Sequence, residues 1–163
     1  MLSDGLYKLG KSQKLFKYSK EDVEFEYYTN CCYPGMKSYN KNYLPHVDPF
    51  SIAANIYLTD VPNTGTSFFK FIGQDNKPFY SVSDLMRDRD RGYQKYEDNI
   101  REYKIESGWG NWEYFTGDDF YQRYHFIPAE YNSCSMYRGN RWHSITYDAN
   151  KDDVRYSVVG VIR

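Results

Sequence analysis

The pattern of polar and apolar positions marks several stretches of the chain as strands. Val23-Glu24-Phe25-Glu26-Tyr27-Tyr28 sets apolar against acidic positions, as a half-buried strand does. Ser51-Ile52-Ala53-Ala54-Asn55-Ile56-Tyr57-Leu58-Thr59-Asp60 reads as a core strand. The turn Val61-Pro62-Asn63-Thr64-Gly65 follows, and residues 66–72 read as another strand. Asn132-Ser133-Cys134-Ser135-Met136-Tyr137 is a further strand, ended by the turn Arg138-Gly139-Asn140. The last two β-rich runs begin at Arg141 and Val154 and are separated by Asp148-Ala149-Asn150-Lys151-Asp152-Asp153. Paired as a hairpin, they would set Arg155 nearly opposite His143 or Ser144.

Two stretches depart from this rhythm. Residues 1–20 are Lys-rich with scattered apolar positions and read as a short strand or loop against the core. In residues 78–105, Ser81 or Ser83 is placed to cap a helix. Leu85, Met86, Tyr93, Tyr96, Ile100 and Tyr103 form its apolar stripe, opposite a charged face. Residues 106–119 alternate glycines with large rings, as a substrate wall or a loop capping the core would. Many short strands plus one helical stretch predict a single, mainly β domain over 1–163. Its expected form is a double-stranded β-helix (jelly-roll, cupin-like) with a helical insertion around residues 83–105.

Composition narrows the function. The chain has 163 residues, enough to bury a core. Its net charge of −1 offers no positive field for nucleic acid. No apolar run approaches membrane-spanning length, and the start lacks a signal-peptide pattern, so a soluble, cytoplasmic protein is expected. Three cysteines, two of them adjacent, make neither a disulfide framework nor a zinc motif. The 19 tyrosines supply half-polar surface suited to strands and a wet cleft.

The chemistry concentrates in Tyr43-Leu44-Pro45-His46-Val47-Asp48-Pro49. In an extended strand, residues i and i+2 share a face, so His46 and Asp48 project together. Pro45 and Pro49 cannot donate to a ladder, so this strand is short or lies at an edge. An imidazole and a carboxylate are two of the three ligands of the facial triad that suits non-haem Fe(II). The third would be a distant histidine, and only His125 and His143 remain. His143 is the better candidate, because Arg155 and Ser157 follow it on one strand face. A buried arginine with a neighbouring hydroxyl beside a metal is a carboxylate receptor.

The ordered set His46-x-Asp48, His143, Arg155-x-Ser157 resembles the 2-oxoglutarate and Fe(II)-dependent oxygenases. Asn55-Ile56-Tyr57-Leu58-Thr59 followed by Gly65-Thr66-Ser67-Phe68 is similar to a segment of their prolyl-4-hydroxylase-like members. The resemblance spans residues 33–163. It departs at Thr64-Gly65, where the family has two glycines, and at Asn132, where it has one before an aromatic residue matched here by Tyr137. The resemblance implies Fe(II) held by His46, Asp48 and His143, with His125 outside the ligand order. It implies 2-oxoglutarate held by Arg155, Ser157, Tyr57, Asn55 and an upstream tyrosine, Tyr39 or Tyr43. It also implies dioxygen as oxidant, and a dioxygenase that couples decarboxylation of 2-oxoglutarate to succinate with hydroxylation of a peptidyl residue, amino acid or small metabolite. Trp109, Trp112, Arg141 and Trp142 are candidates for the substrate pocket. The alternative is a catalytically silent β-barrel that binds a partner through its aromatic loops.

Overall fold

The structure is a computed structural model and describes residues 2–12, 15, 24–32, 45–49, 51–88, 119–147 and 153–162. The chain begins with helix α1 (Leu2–Ser12) and strand β1 (Phe25–Cys32). Strands β2 (Ile52–Tyr57), β3 (Thr64–Ile72) and β4 (Pro78–Phe79) lead to the short helix α2 (Val82–Arg87). Strands β5 (Tyr121–Pro128), β6 (Cys134–Arg138), β7 (His143–Tyr147) and β8 (Arg155–Ile162) complete the described elements.

The protein is mainly β, and among the described residues its strands form two antiparallel four-stranded sheets. One has the order β1-β8-β2-β6. In the other, β3 pairs with β5 along one edge and with β7 and β4 along the other. The inner faces meet across a shared interior, where Ala53, Phe68 and Tyr137 pack together with Ile127 against them. Each sheet also buries an outer face. Tyr7 of α1 and Leu15 lie against Ile52 and Ile162 on the first sheet. On the second, Phe69, Phe71, Phe79, Leu85, Tyr121 and Trp142 form an outer core.

The strand expectations from alternation are met at β1, β2, β3 and β6, with bounds moved by a few residues. Two expectations are corrected. Residues 2–12 are helical, not strand or loop. Leu6 is buried, Asp4 lies in the first turn and Lys11 in the last, which complements the helix dipole. The two C-terminal runs do not form a hairpin. β7 pairs with β3, while β8 lies between β1 and β2 in the other sheet. Arg155 is therefore registered opposite Cys32, not His143 or Ser144. Of the expected helical insertion, Val82–Arg87 is helical, with the Ser81 side chain accepting from the Asp84 amide; residues 89–105 lie outside the described residues.

At Asn132 and at Gly65 the backbone itself restricts the residue. Asn132 takes φ 60°, a left-handed conformation that asparagine reaches more readily than other non-glycine residues. Gly65 is fixed by close approach: a Cβ there would lie 2.1 Å from the Ile127 carbonyl oxygen on β5. Gly65→Ala is expected to push β3 from β5 and cost about 1–3 kcal/mol in urea denaturation. Gly5→Ala, in α1 with nothing among the described residues within 4 Å of the new Cβ, should instead stabilise by about 0.5–1 kcal/mol.

Candidate metal centre

His46 and His143 are joined through their backbones. The His46 amide donates to the His143 carbonyl at 3.0 Å, and the His143 amide donates to the His46 carbonyl at 3.0 Å. Two residues that exchange both bonds in an antiparallel pair stand directly opposite, with side chains on the same face. The pairing thus fixes both imidazoles side by side, their ring centroids 4.5 Å apart. The Asp48 amide donates to the Gly139 carbonyl at 2.9 Å, so the turn after β6 anchors the other end of this short segment. Val47 points the other way, into the outer core with Trp142. Alternation then returns Asp48 to the face of His46.

Nε2 of His143 lies 3.3 Å from one Asp48 carboxylate oxygen, and Nε2 of His46 lies 3.9 Å from the other. One ligand atom from each of the three residues falls within 4.8 Å of the other two. Nδ1 of His143 is 2.9 Å from the Arg141 carbonyl oxygen, which can only accept. Nδ1 therefore carries a proton, and Nε2 is the ring nitrogen that faces Asp48, donating to its carboxylate while no metal is bound and free to ligate one when it is. Burial raises the pKa of the Asp48 carboxyl, but the hydrogen bond and charge of His143, with the charge of His46, outweigh it and hold the group below its ordinary range. The donor set suits a divalent metal: two imidazole nitrogens and an ionised carboxylate, with the His143 ring oriented by its Nδ1 contact to the Arg141 carbonyl.

The triad lies at the edge of a cavity of about 310 Å³, walled by Tyr28, Asn55, Thr66, Tyr137, Ile145 and Val159 among others. Within it the Asn55 side-chain amide donates to the Tyr137 hydroxyl at 3.2 Å and to Thr66 Oγ1 at 3.3 Å. Thr66 Oγ1 also shares a hydrogen bond of 2.8 Å with the Tyr57 hydroxyl. Beyond Tyr57 is Arg155, its guanidinium carbon 5.8 Å from the ring centroid. One of its terminal nitrogens donates to the Gly65 carbonyl at 3.0 Å and the Thr146 carbonyl at 3.4 Å. Arg155 and Ser157 are both buried on one face of β8. Neither they nor Tyr57 wall the cavity, so the connection runs through Asn55 and Thr66. Burial, with the nearby Asp48 charge, raises the Tyr137 hydroxyl pKa far above its ordinary value, which keeps it a neutral donor.

The other sequence candidates fall apart from this group. Trp142 is buried in the outer core against Phe71 and Tyr121, facing away from the triad. Arg141 precedes the triad on the same chain segment and is half-buried. His125 is exposed on β5. Tyr39, Tyr43, Trp109 and Trp112 lie outside the described residues. Thr66 and Tyr137 were not singled out as site residues from the sequence. Their only signal was their place in the Gly65-Thr66-Ser67-Phe68 segment and in the aromatic position of β6.

The sequence profile of DUF6445, a family of unknown function, matches residues 40–155. The chain belongs to the DUF6445 family. The matched stretch contains all three triad residues and ends at Arg155, so both halves of the reciprocal backbone pair are family territory. Comparisons with curated proteins and with solved structures returned no match.

Substituting alanine for His46, Asp48 or His143 is expected to weaken Fe(II) or Mn(II) binding by more than the roughly 10–100-fold typical of supporting residues. Anaerobic metal titration measures this; unchanged affinity in any variant removes that residue from the ligand set. The depressed Asp48 pKa also makes a prediction for the metal-free protein. Its contribution to stability is present above the unfolded value of 3.8 and is lost as pH falls toward the lower folded value. Asp48→Asn should flatten that part of the acid-unfolding profile.

Proposed function

We propose that this protein is a non-haem Fe(II) enzyme using 2-oxoglutarate and dioxygen, built on a double-stranded β-helix. The observation that carries the reading is the convergence of His46, Asp48 and His143 within 4.8 Å at the edge of a polar interior leading to a buried arginine. The path of the chain supports the fold reading. It passes between the facing sheets from β2 to β3, from β5 to β6, from β6 to β7 and from β7 to β8, as in a jelly roll.

The triad fits the metal this function requires, and the 2-oxoglutarate roles follow from the sequence resemblance. His46, Asp48 and His143 would hold Fe(II), leaving its other positions for exogenous ligands. Arg155 would hold the distal carboxylate of 2-oxoglutarate, with Ser157 and Tyr57 beside it; a buried carboxylate requires such a partner. Asn55 and Thr66 bridge from the cavity to Tyr57 and would line the co-substrate. Bound together, iron, 2-oxoglutarate and dioxygen supply an oxidation that converts 2-oxoglutarate to succinate and carbon dioxide and hydroxylates a substrate C–H bond. The chain's part is to orient the ligands, exclude water and keep a neutral hydroxyl, that of Tyr137, beside them.

Purified protein with Fe(II), ascorbate and 2-oxoglutarate is expected to release succinate in an oxygen-dependent manner, even without substrate at a low rate. His143→Ala should abolish release. Arg155→Gln should raise the 2-oxoglutarate concentration required by about tenfold or more, the scale of a lost charged hydrogen bond. Release that ignores both substitutions would move the activity away from this site. A wild-type protein that retains iron yet releases no succinate would favour the silent binding barrel.

A further inference from the structure

The chain segment that leads into β7 and β7 itself carry side chains on both sides of the proposed metal. The cavity runs along it from His143 toward Ile145, and Arg141 does not wall it. Arg141 lies two residues from His143 in the opposite direction, about 7 Å along an extended chain. Trp142, between them, is turned into the outer core. Arg141 therefore projects from the side of the chain that carries His143, away from the cavity assigned to the co-substrate.

Its surroundings there are distinctive. Arg141 is bridged to Ser81 by backbone pairing. The neighbouring Tyr80 ring meets Tyr124 edge-on at 5.2 Å. The Tyr124 hydroxyl lies against Arg141. Burial raises its pKa, and the charge and hydrogen bond of Arg141 lower it by less, so it remains a neutral phenol. A guanidinium N–H can only donate, so the phenol oxygen accepts from Arg141 and its own O–H is left to donate outward. Tyr80 and Tyr124 are 38% and 42% exposed, more than buried wall residues would be. Among the described residues no carboxylate pairs with Arg141. The result is a cation and the Tyr124 phenol donor, with the exposed Tyr80 ring against them, beside the candidate ligand His143.

We propose that Arg141 and Tyr124, with Tyr80, form a receptor for a carboxylate on the substrate, placing that substrate among carboxylic acids with an apolar body. This rests on the reading of the triad as an Fe(II) centre. Two parallel donors on one oxyanion give both affinity and orientation, and the rings take up adjoining apolar surface. The carboxylate belongs either to a free acid or to an acidic residue of a peptide.

The test uses matched pairs: phenylacetate against phenylacetamide, and acetyl-aspartate amide against acetyl-asparagine amide. Each is titrated into the full chain, with and without 2-oxoglutarate, and followed by NMR. At least one acid is expected to bind about tenfold or more tightly than its amide, with 2-oxoglutarate present. Arg141→Leu should erase that preference, Arg141→Lys should keep part of it, and Tyr124→Phe should weaken the acid severalfold without affecting the amide. Preference for phenylacetate assigns a free acid, and preference for acetyl-aspartate amide a peptide. Equal binding of every acid and amide, or a preference that survives Arg141→Leu and Tyr124→Phe, overturns the receptor. The outcome separates from that of the iron reading. Acid preference lost in Arg141→Leu without any succinate release keeps the receptor and rejects the oxygenase; succinate release without acid preference does the reverse.

Discussion

The site depends on one reciprocal pair of backbone hydrogen bonds, between His46 and His143. These residues are far apart in sequence, and each occupies a short extended segment. The exchanged pair makes their side chains direct neighbours, so the ligand geometry follows from sheet register and not from side-chain freedom. A slip of one residue would turn His46 and Asp48 into the outer core and bring Val47 to the site. The outer core resists that slip, because Val47 packs there with Trp142 while Pro45 and Pro49 limit further pairing. Apolar packing on one face of the second sheet thus holds the polar chemistry on the other.

Inside, the two sheets are tied by hydrogen bonds as well as by apolar contact. The Tyr57 hydroxyl and the Asn55 amide of the first sheet meet Thr66 of the second, and Arg155 reaches carbonyls of β3 and β7. In a low-dielectric interior such bonds are strong when complete and costly when broken. They fix the spacing between the triad and Arg155, which a two-ended co-substrate would need held constant. The proposed substrate receptor at Arg141 stands on the far side of His143. One histidine would then separate the two binding regions.

Much of this was legible in the sequence for local reasons. Alternation placed His46 and Asp48 on one face because the rule needs only two residues of extended chain. It likewise put Asn55 with Tyr57 and Arg155 with Ser157. Pairing partners were less legible. β7 and β8 are adjacent in sequence with a turn-rich link, the usual mark of a hairpin, yet each finds its partners in a different sheet. That choice depends on distant strands, which no local pattern specifies. Trp142, a pocket candidate from the sequence, lies in the outer core instead, on the face it shares with Val47. Helix α1 was hidden by its lysines and glycines, although Leu6 and Leu9 already have helical spacing. The left-handed conformation of Asn132, with φ 60°, was likewise not legible, because no local pattern marks it.

The most direct measurement is the visible spectrum of the protein with Fe(II) and 2-oxoglutarate under anaerobic conditions. The proposed function predicts a weak charge-transfer band near about 500 nm, formed only when both are present. That band would mean that the oxoacid chelates an iron held by the protein. Iron retained by His46, Asp48 and His143 with no such band on adding 2-oxoglutarate would contradict the oxygenase account, leaving a metal site with some other chemistry.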